Sequence, residues 1–325
     1  MLLPNTAVRD PTQWALRYVM LLWLALICMV PFDFAQFDED DASNLTATSI
    51  ESIAKEFLGK AGLERDGAAT ALSRFYTRKD TIVQFSRFLD HSADILPNTT
   101  DPFKVCLFTN PFKQKLMQYL KAIGLLQVLC EVVKTASMAR IKDNVPKLMN
   151  IISSMQGSEV LSINTFMRKF RTKLTSRIAL RLLPGRSSAN RHKGQLLDGT
   201  TNKLEEVSEQ SIDVPEEVEI VLEQLFHGLE DKDTVVRWSA AKGVARIAER
   251  LPTDFTDQVL GTVMGLFSIH SIAAASLYDL PAIAECTWHG ACLACAEMAR
   301  RGLVTPKRLP ELLDWLSKVV SFVPH

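Results

Sequence analysis

Residues Asp231 to Pro252, DKDTVVRWSAAKGVARIAERLP, carry the start, the buried face and the stop of one helix in order. Asp233 is placed to cap a helix that opens at Thr234. From there Val236, Ala240, Val244, Ile247, Ala248 and Leu251 recur at helical spacing, and Lys242, Arg246, Glu249 and Arg250 fill the strip between them. Arg250 brings positive charge to the last turn and Pro252 ends the element.

Just upstream, Val218, Val221, Leu222, Leu225, Phe226 and Leu229 draw a second apolar stripe, and only Glu230 to Asp233 separate the two. Helices joined so tightly lie antiparallel. An Asp six residues before Arg237, here Asp231, is the pattern of a HEAT repeat, in which neither helix of the pair can bury its stripe alone. The chain must therefore continue as further pairs, and the expected fold class is all-α, a HEAT/armadillo-type helical-repeat solenoid or α-α superhelix.

Composition agrees. The 14 glycines in 325 residues and the near absence of alternating Val, Ile and Thr runs argue against a large sheet. Lysine plus arginine equal aspartate plus glutamate, 37 each, so no global field draws the chain to nucleic acid or to a membrane surface. The six cysteines, Cys28, Cys106, Cys130, Cys286, Cys292 and Cys295, sit inside apolar helical stretches, unlike a disulfide framework, and read as reduced and cytosolic.

Asp10-Pro11 opens a first helix, whose apolar run is continuous from Tyr18 to Val30 before Pro31. Thirteen residues fall short of the roughly 20 that cross a bilayer, so the run reads as a buried helix without membrane insertion; a membrane anchor at Tyr18 to Val30 is the alternative. A helix capped by Asn44 is expected to pair with it. Further pairs are expected between Asp66 and Pro97, from Asn110-Pro111 through Leu125 to Val133, and from Asp143 to about Leu182.

From Arg168 to Lys193 nine lysines and arginines occur without an acid, and from Asp198 to Glu219 eight acids face Lys203. Pro184 to Val214 lacks an apolar period and is expected to be a mobile loop. The expected division is a helical-repeat segment 1–182, a basic-to-acidic loop 183–217 and HEAT repeats over 218–325. In the last of these, a helix from Trp288 aligns with the one from Trp238 at a spacing of 50 residues, matching Ala241 to Ala291 and Arg250 to Arg300. A final helix after Pro306 is expected to have no partner, as in a truncated molecule.

Chemistry is sparse. Cys286, His289, Cys292 and Cys295 are metal-type ligands at steps of three, but on one helix their ends lie about 13.5 Å apart and successive side chains turn by about 60°. A zinc ion needs its ligand atoms within roughly 2.0 to 2.3 Å of one point, so no metal site is expected. Neither GxxxxGK[ST] nor GxGxxG nor G-x-S-x-G occurs. No catalytic, cofactor-binding or metal residue is assigned, no cofactor is expected, and the partner-binding residues are unknown.

The stretch Asp231 to Pro252, together with WHGACLACAEMARRGL from Trp288 to Leu303 and RYVMLLWLALICMVPFDF from Arg17 to Phe34, closely resembles the tubulin-folding cofactor D family, also called tubulin-specific chaperone D. Weaker similarity runs through Arg87 to Asp90 and Lys121 to Met149. The resemblance implies a cytoplasmic HEAT solenoid, with association with microtubules or centrosomes as a further option, that captures β-tubulin after the chaperonin and joins it to α-tubulin with cofactor E. It also implies an Arf-like small GTPase as partner and, with cofactor C, stimulation of GTP hydrolysis by tubulin, with no catalytic residue of its own. Family members are several times longer, which makes this chain an expected fragment of the N-terminal half. A general HEAT adaptor in transport or chromatin is the competing reading.

Overall fold

A computed structural model describes residues 11–38, 44–102, 110–158, 160, 163–185, 214–268 and 282–322. Among the described residues the chain forms twelve α-helices and a few 3-10 turns, and no strand. They gather into two compact units, Met1–Leu174 and Thr175–His325, with the division falling inside one helix.

The first unit holds α1 (Trp14–Ile27), α2 (Leu45–Phe57), α3 (Leu63–Tyr76), α4 (Ile82–Asn98), α5 (Asn110–Thr135) and α6 (Met138–Ser154), and α7 (Thr165–Leu182) carries the division. Helix α3 packs on α1, α2 and α5, and α4 packs on α5 and α6. The second unit holds α8 (Glu216–Leu229), α9 (Thr234–Ala248), α10 (Thr253–Ser268), α11 (Ala282–Arg300) and α12 (Leu309–Phe322). There α8 packs on α9 and α11, α9 on α10 and α11, and α10 on α11 and α12. Most of these helices meet more than one other, either the next in the chain or one further on, which is how stacked pairs bury stripes that no pair could bury alone.

Helix α1 was expected to pair with the helix after Asn44, and instead it lies chiefly on α3. The reason is size. A Cβ on Gly67 of α3 would sit 3.1 Å from both Leu21 and Tyr18, and Ala68 and Ala71 beside it are fully buried, so α3 offers the shallow surface on which α1 settles. Arg17, the cation just before the apolar run, turns the same way: 5% exposed, its Nε donates to Glu64 Oε1 at 2.5 Å.

Asn44 precedes α2 in the left-handed region, at φ 44°, without a capping bond from its side chain. The cap comes from Asp38, whose Oδ1 accepts from both Thr46 N (2.9 Å) and Thr46 Oγ1 (2.6 Å), holding its carboxyl below the usual carboxylate range. The stripes on either side of Gly124, read as two helices, lie on the single 26-residue α5. Gly124 breaks nothing because it is a contact point: a Cβ there would come 2.9 Å from the Leu58 carbonyl oxygen. Helix α6 starts at Met138, earlier than Asp143, because Ser137 caps it by accepting from Arg140 N.

Phe112–Thr135 is long and apolar enough to cross a membrane by length and composition, but over half of its most apolar window is buried within the protein. Leu125, Leu126, Val128, Leu129, Val132 and Val133 are all fully covered. Around Tyr76 an aromatic cluster forms, with Phe88 at 4.6 Å and Phe75 at 5.3 Å between ring centroids, and the phenol donates to Glu51 at 2.7 Å.

Of the loop expected over 183–217, residues 186–213 lie outside the described residues, and α8 already begins at Glu216. The basic run is described only as far as residue 185, with its first six cations on α7. The connection before Trp288 likewise falls largely outside, at 269–281. Helix α12, expected to lack a partner, has one: Trp315 stacks on Phe267 of α10 at 6.1 Å, and Arg308 grips Asp257 with Nη2 to Oδ2 at 2.8 Å.

Candidate partner-binding surface on the second unit

The stretch that most constrained the sequence becomes α9, which opens at Thr234 as its pattern dictates. Asp233 has the extended backbone of a cap residue but no capping bond from its side chain, and its own N–H donates to Asp231 Oδ1 at 2.8 Å. Inward, Val236, Ala240, Ala241, Val244, Ala245, Ile247 and Ala248 are buried. Outward, Val235 and Trp238 stand 47% and 51% exposed, with Lys242 Nζ over the indole ring at 4.5 Å and Arg246 exposed beyond it. An uncovered tryptophan stacked with a cation, on a rigid helix, is the residue type that anchors protein interfaces.

Arg237 holds this surface in place. Only 7% exposed, its Nη1 donates to the carbonyl oxygens of Asp231 (2.6 Å) and Lys232 (2.9 Å) and its Nη2 to Thr234 Oγ1 (2.9 Å). Its Nε donates to His289 Nδ1 on α11 at 3.1 Å, so the guanidinium ties the turn before α9 to the next pair. Accepting at Nδ1 requires that nitrogen to be unprotonated. Burial and the facing guanidinium both push the His289 pKa down, favouring that state. Gly290 beside it has no room for a side chain: a Cβ would fall 1.9 Å from the Leu229 carbonyl oxygen, where α11 presses on the end of α8.

The ligand-type residues at steps of three are placed by the same packing. His289 faces Arg237, and Cys286 Sγ lies 4.0 Å from the Lys232 carbonyl oxygen. Cys292 is half-buried with its pKa raised by burial, and Cys295, 2% exposed, is pushed up to about 12 by burial with a smaller contribution from Cys292. Both thiols are protonated at neutral pH and weak as nucleophiles. Among the described residues no group of three or more His, Cys, Asp or Glu is placed to hold one metal ion.

In the first unit, an open cavity of about 280 Å³ is bounded by residues that include Asp101, Tyr119, Asn164 and Phe166. Its polar groups are engaged structurally: Asn164 Nδ2 donates to the Tyr119 hydroxyl, and Asn164 Oδ1 accepts from Met167 N at 2.8 Å at the start of α7.

The alignment at a spacing of 50 residues holds for the helices and fails for side-chain roles. Trp288 is buried with its Nε1 donating to the Phe267 carbonyl oxygen at 3.1 Å, whereas Trp238 is exposed. Arg250 donates to the Leu180 carbonyl oxygen, whereas Arg300 pairs with Glu297 on its own helix. Sequence reading named Trp238 only as a repeat marker and missed it as an exposed anchor.

Comparison with known proteins places these features in a family. Two family profiles match, between them covering well over half of the chain: "Tubulin-specific chaperone D-like, ARM repeat" over residues 1–96 and "Tubulin-specific chaperone D-like, ARM repeats" over 185–323. The tubulin-folding cofactor D of Schizosaccharomyces pombe is 26% identical over 312 residues, which cover 95% of this chain and 26% of that protein. The tubulin-specific chaperone D of Dictyostelium discoideum is 28% identical over 353 aligned residues, covering 95% of this chain and 23% of that protein. The chain thus spans about a quarter of the length of these curated relatives. No solved structure matches significantly. Stacked helix pairs without strands, among the described residues, and ARM-repeat profiles at both ends describe one fold class, the helical repeat. The chain belongs to the tubulin-specific chaperone D-like family.

Proposed function

We propose that this chain is a tubulin-binding segment of a tubulin-folding chaperone and works in the cytosol without chemistry of its own. The observation that carries the reading is the match of 95% of the chain to two relatives named for tubulin folding. It is supported by a helical-repeat surface with an exposed tryptophan, held by the hydrogen bonds of the buried Arg237, and by burial that keeps the thiols of Cys292 and Cys295 protonated. In finer terms, the segment takes up β-tubulin after the chaperonin and hands it toward the α/β heterodimer. It does so with cofactors E and C and an Arf-like small GTPase as partners of the longer protein. Any GTP hydrolysis then takes place on tubulin, with binding favouring a competent tubulin conformation.

The test is to immobilise the purified chain and pass over it first pure tubulin and then cell extract, scoring α- and β-tubulin, cofactors E and C and the small GTPase. Selective retention of β-tubulin, weakened at least fivefold by Trp238→Ala, is the expected result. Retention of nuclear transport or chromatin proteins with no tubulin marks a general helical-repeat adaptor and removes the proposal. Incubation with GTP alone should release no phosphate, and hydrolysis by the chain alone would identify an enzyme.

A further inference from the structure

Helix α1 has two apolar faces. Leu21, Leu24, Ala25 and Cys28 are buried within the unit, while Leu16, Val19, Trp23, Leu26 and Ile27, on the opposite side of the same helix, are 43% to 63% exposed. These five recur at i, i+3, i+7, i+10 and i+11, a continuous stripe at helical spacing. Just past the helix Met29 and Phe32 are exposed as well, at 57% and 58%. Isolated exposed apolar residues need no explanation, but a contiguous stripe of this size does.

From the structure we infer that this stripe is the interface through which two copies of the chain pair, α1 against α1 about a two-fold axis. Charge argues for a second copy. A two-fold interface sets a patch against itself, so any net charge on it would face its own like. Arg17 is the one charged residue between residues 11 and 32, and it is turned away from the stripe into its contact with Glu64. The whole chain, at formal net charge zero, adds no long-range repulsion between copies. Size agrees. Five half-exposed side chains of this kind present on the order of 500 Å². Pairing two such faces then buries on the order of 1,000 Å², the size at which specific interfaces begin, and Met29 and Phe32 extend it. Trp23, 60% exposed near the middle of the stripe, is the anchor.

The inference is independent of the tubulin reading. Its experiment is light scattering on the purified full chain across a range up to tens of micromolar, at low and high salt, with circular dichroism to follow folding. The expected mass at the upper end is twice 36.3 kDa, unchanged or favoured by salt because the stripe carries no charge. Trp23→Glu and, separately, Leu26→Glu should return the mass to that of the monomer with helicity retained. Val83→Glu, which adds the same charge at a 60% exposed position on α4, should leave the dimer intact. A wild-type monomer at every concentration, a dimer that high salt dissolves, or a dimer that survives both α1 substitutions overturns the inference. A monomer that still retains tubulin would reject the pairing alone and leave the proposed function standing.

Discussion

Arg237 shows what a single buried guanidinium does in a stack of helices. Its four donor contacts reach the preceding turn, the first residue of its own helix and His289 of the next pair, so removing it strips several acceptors of their partner at once. Arg237→Ala should cost about 1 to 3 kcal/mol in urea unfolding, against a few tenths for the exposed Arg246→Ala; equal effects would show that the junction contributes nothing special. The sequence made Arg237 legible as part of a repeat signature. It did not make His289 legible as the recipient, because that contact joins residues 52 apart in sequence. The same separation hid Arg78, whose donors reach the carbonyl oxygens of Cys28, Val30 and Phe32 while its guanidinium lies 3.8 Å over the Phe34 ring. No local pattern announces an arginine that closes the connection after a helix some fifty residues away.

At the scale of the element, side-chain periodicity located most of the described helices, and small residues decided how they meet. Gly290→Ala would drive a methyl group into the Leu229 carbonyl oxygen, so it should destabilise the second unit by about 1 to 3 kcal/mol or more, as overpacking does. Gly265→Ala on α10, where a Cβ meets nothing within 4 Å, should instead stabilise by about 0.5 to 1 kcal/mol from helix propensity and lost unfolded-state freedom. Thermal unfolding of the two variants beside wild type checks both signs. Gly124 belongs with Gly290: in the sequence it looks like a place to end a helix, and only the packing of α5 against Leu58 shows why it stands inside one. Partner choice was equally unreadable for α1, because a stripe states that a face is buried and not against which neighbour.

For the whole molecule, two depressed histidines among the described residues, one in each unit, set a common direction with pH. His91 on α4 is lowered by burial and by Lys121 and Lys55, and His289 by burial and Arg237, each from an ordinary value of 6.5. In the unfolded chain both take up protons first, so the stability they contribute is fully present above about pH 6.5 and is lost as pH falls through their folded values. Urea midpoints of both units should therefore drop between pH 7 and pH 5, and His289→Gln should flatten the fall for the second unit only; a rise on acidification would contradict the assigned shifts. Fold class was readable at this scale because repetition writes the same pattern many times over. The exposed surfaces at Trp238 and on α1 were not, since a helical stripe reads the same whether or not a neighbour covers it.

The packing of α1 on α3 also has a consequence in time. A ribosome adds about 5 to 20 residues per second. From the completion of α1 at Ile27 to the completion of its cover at Tyr76, the nascent chain therefore spends seconds carrying Trp14–Ile27 with neither face matched. That interval is long beside the microseconds in which a helix forms, so α1 emerges as a finished apolar rod awaiting its bed. A holding factor at the exit tunnel, or slow passage through the codons after Ile27, would decide whether the rod meets α3 or another nascent copy of itself.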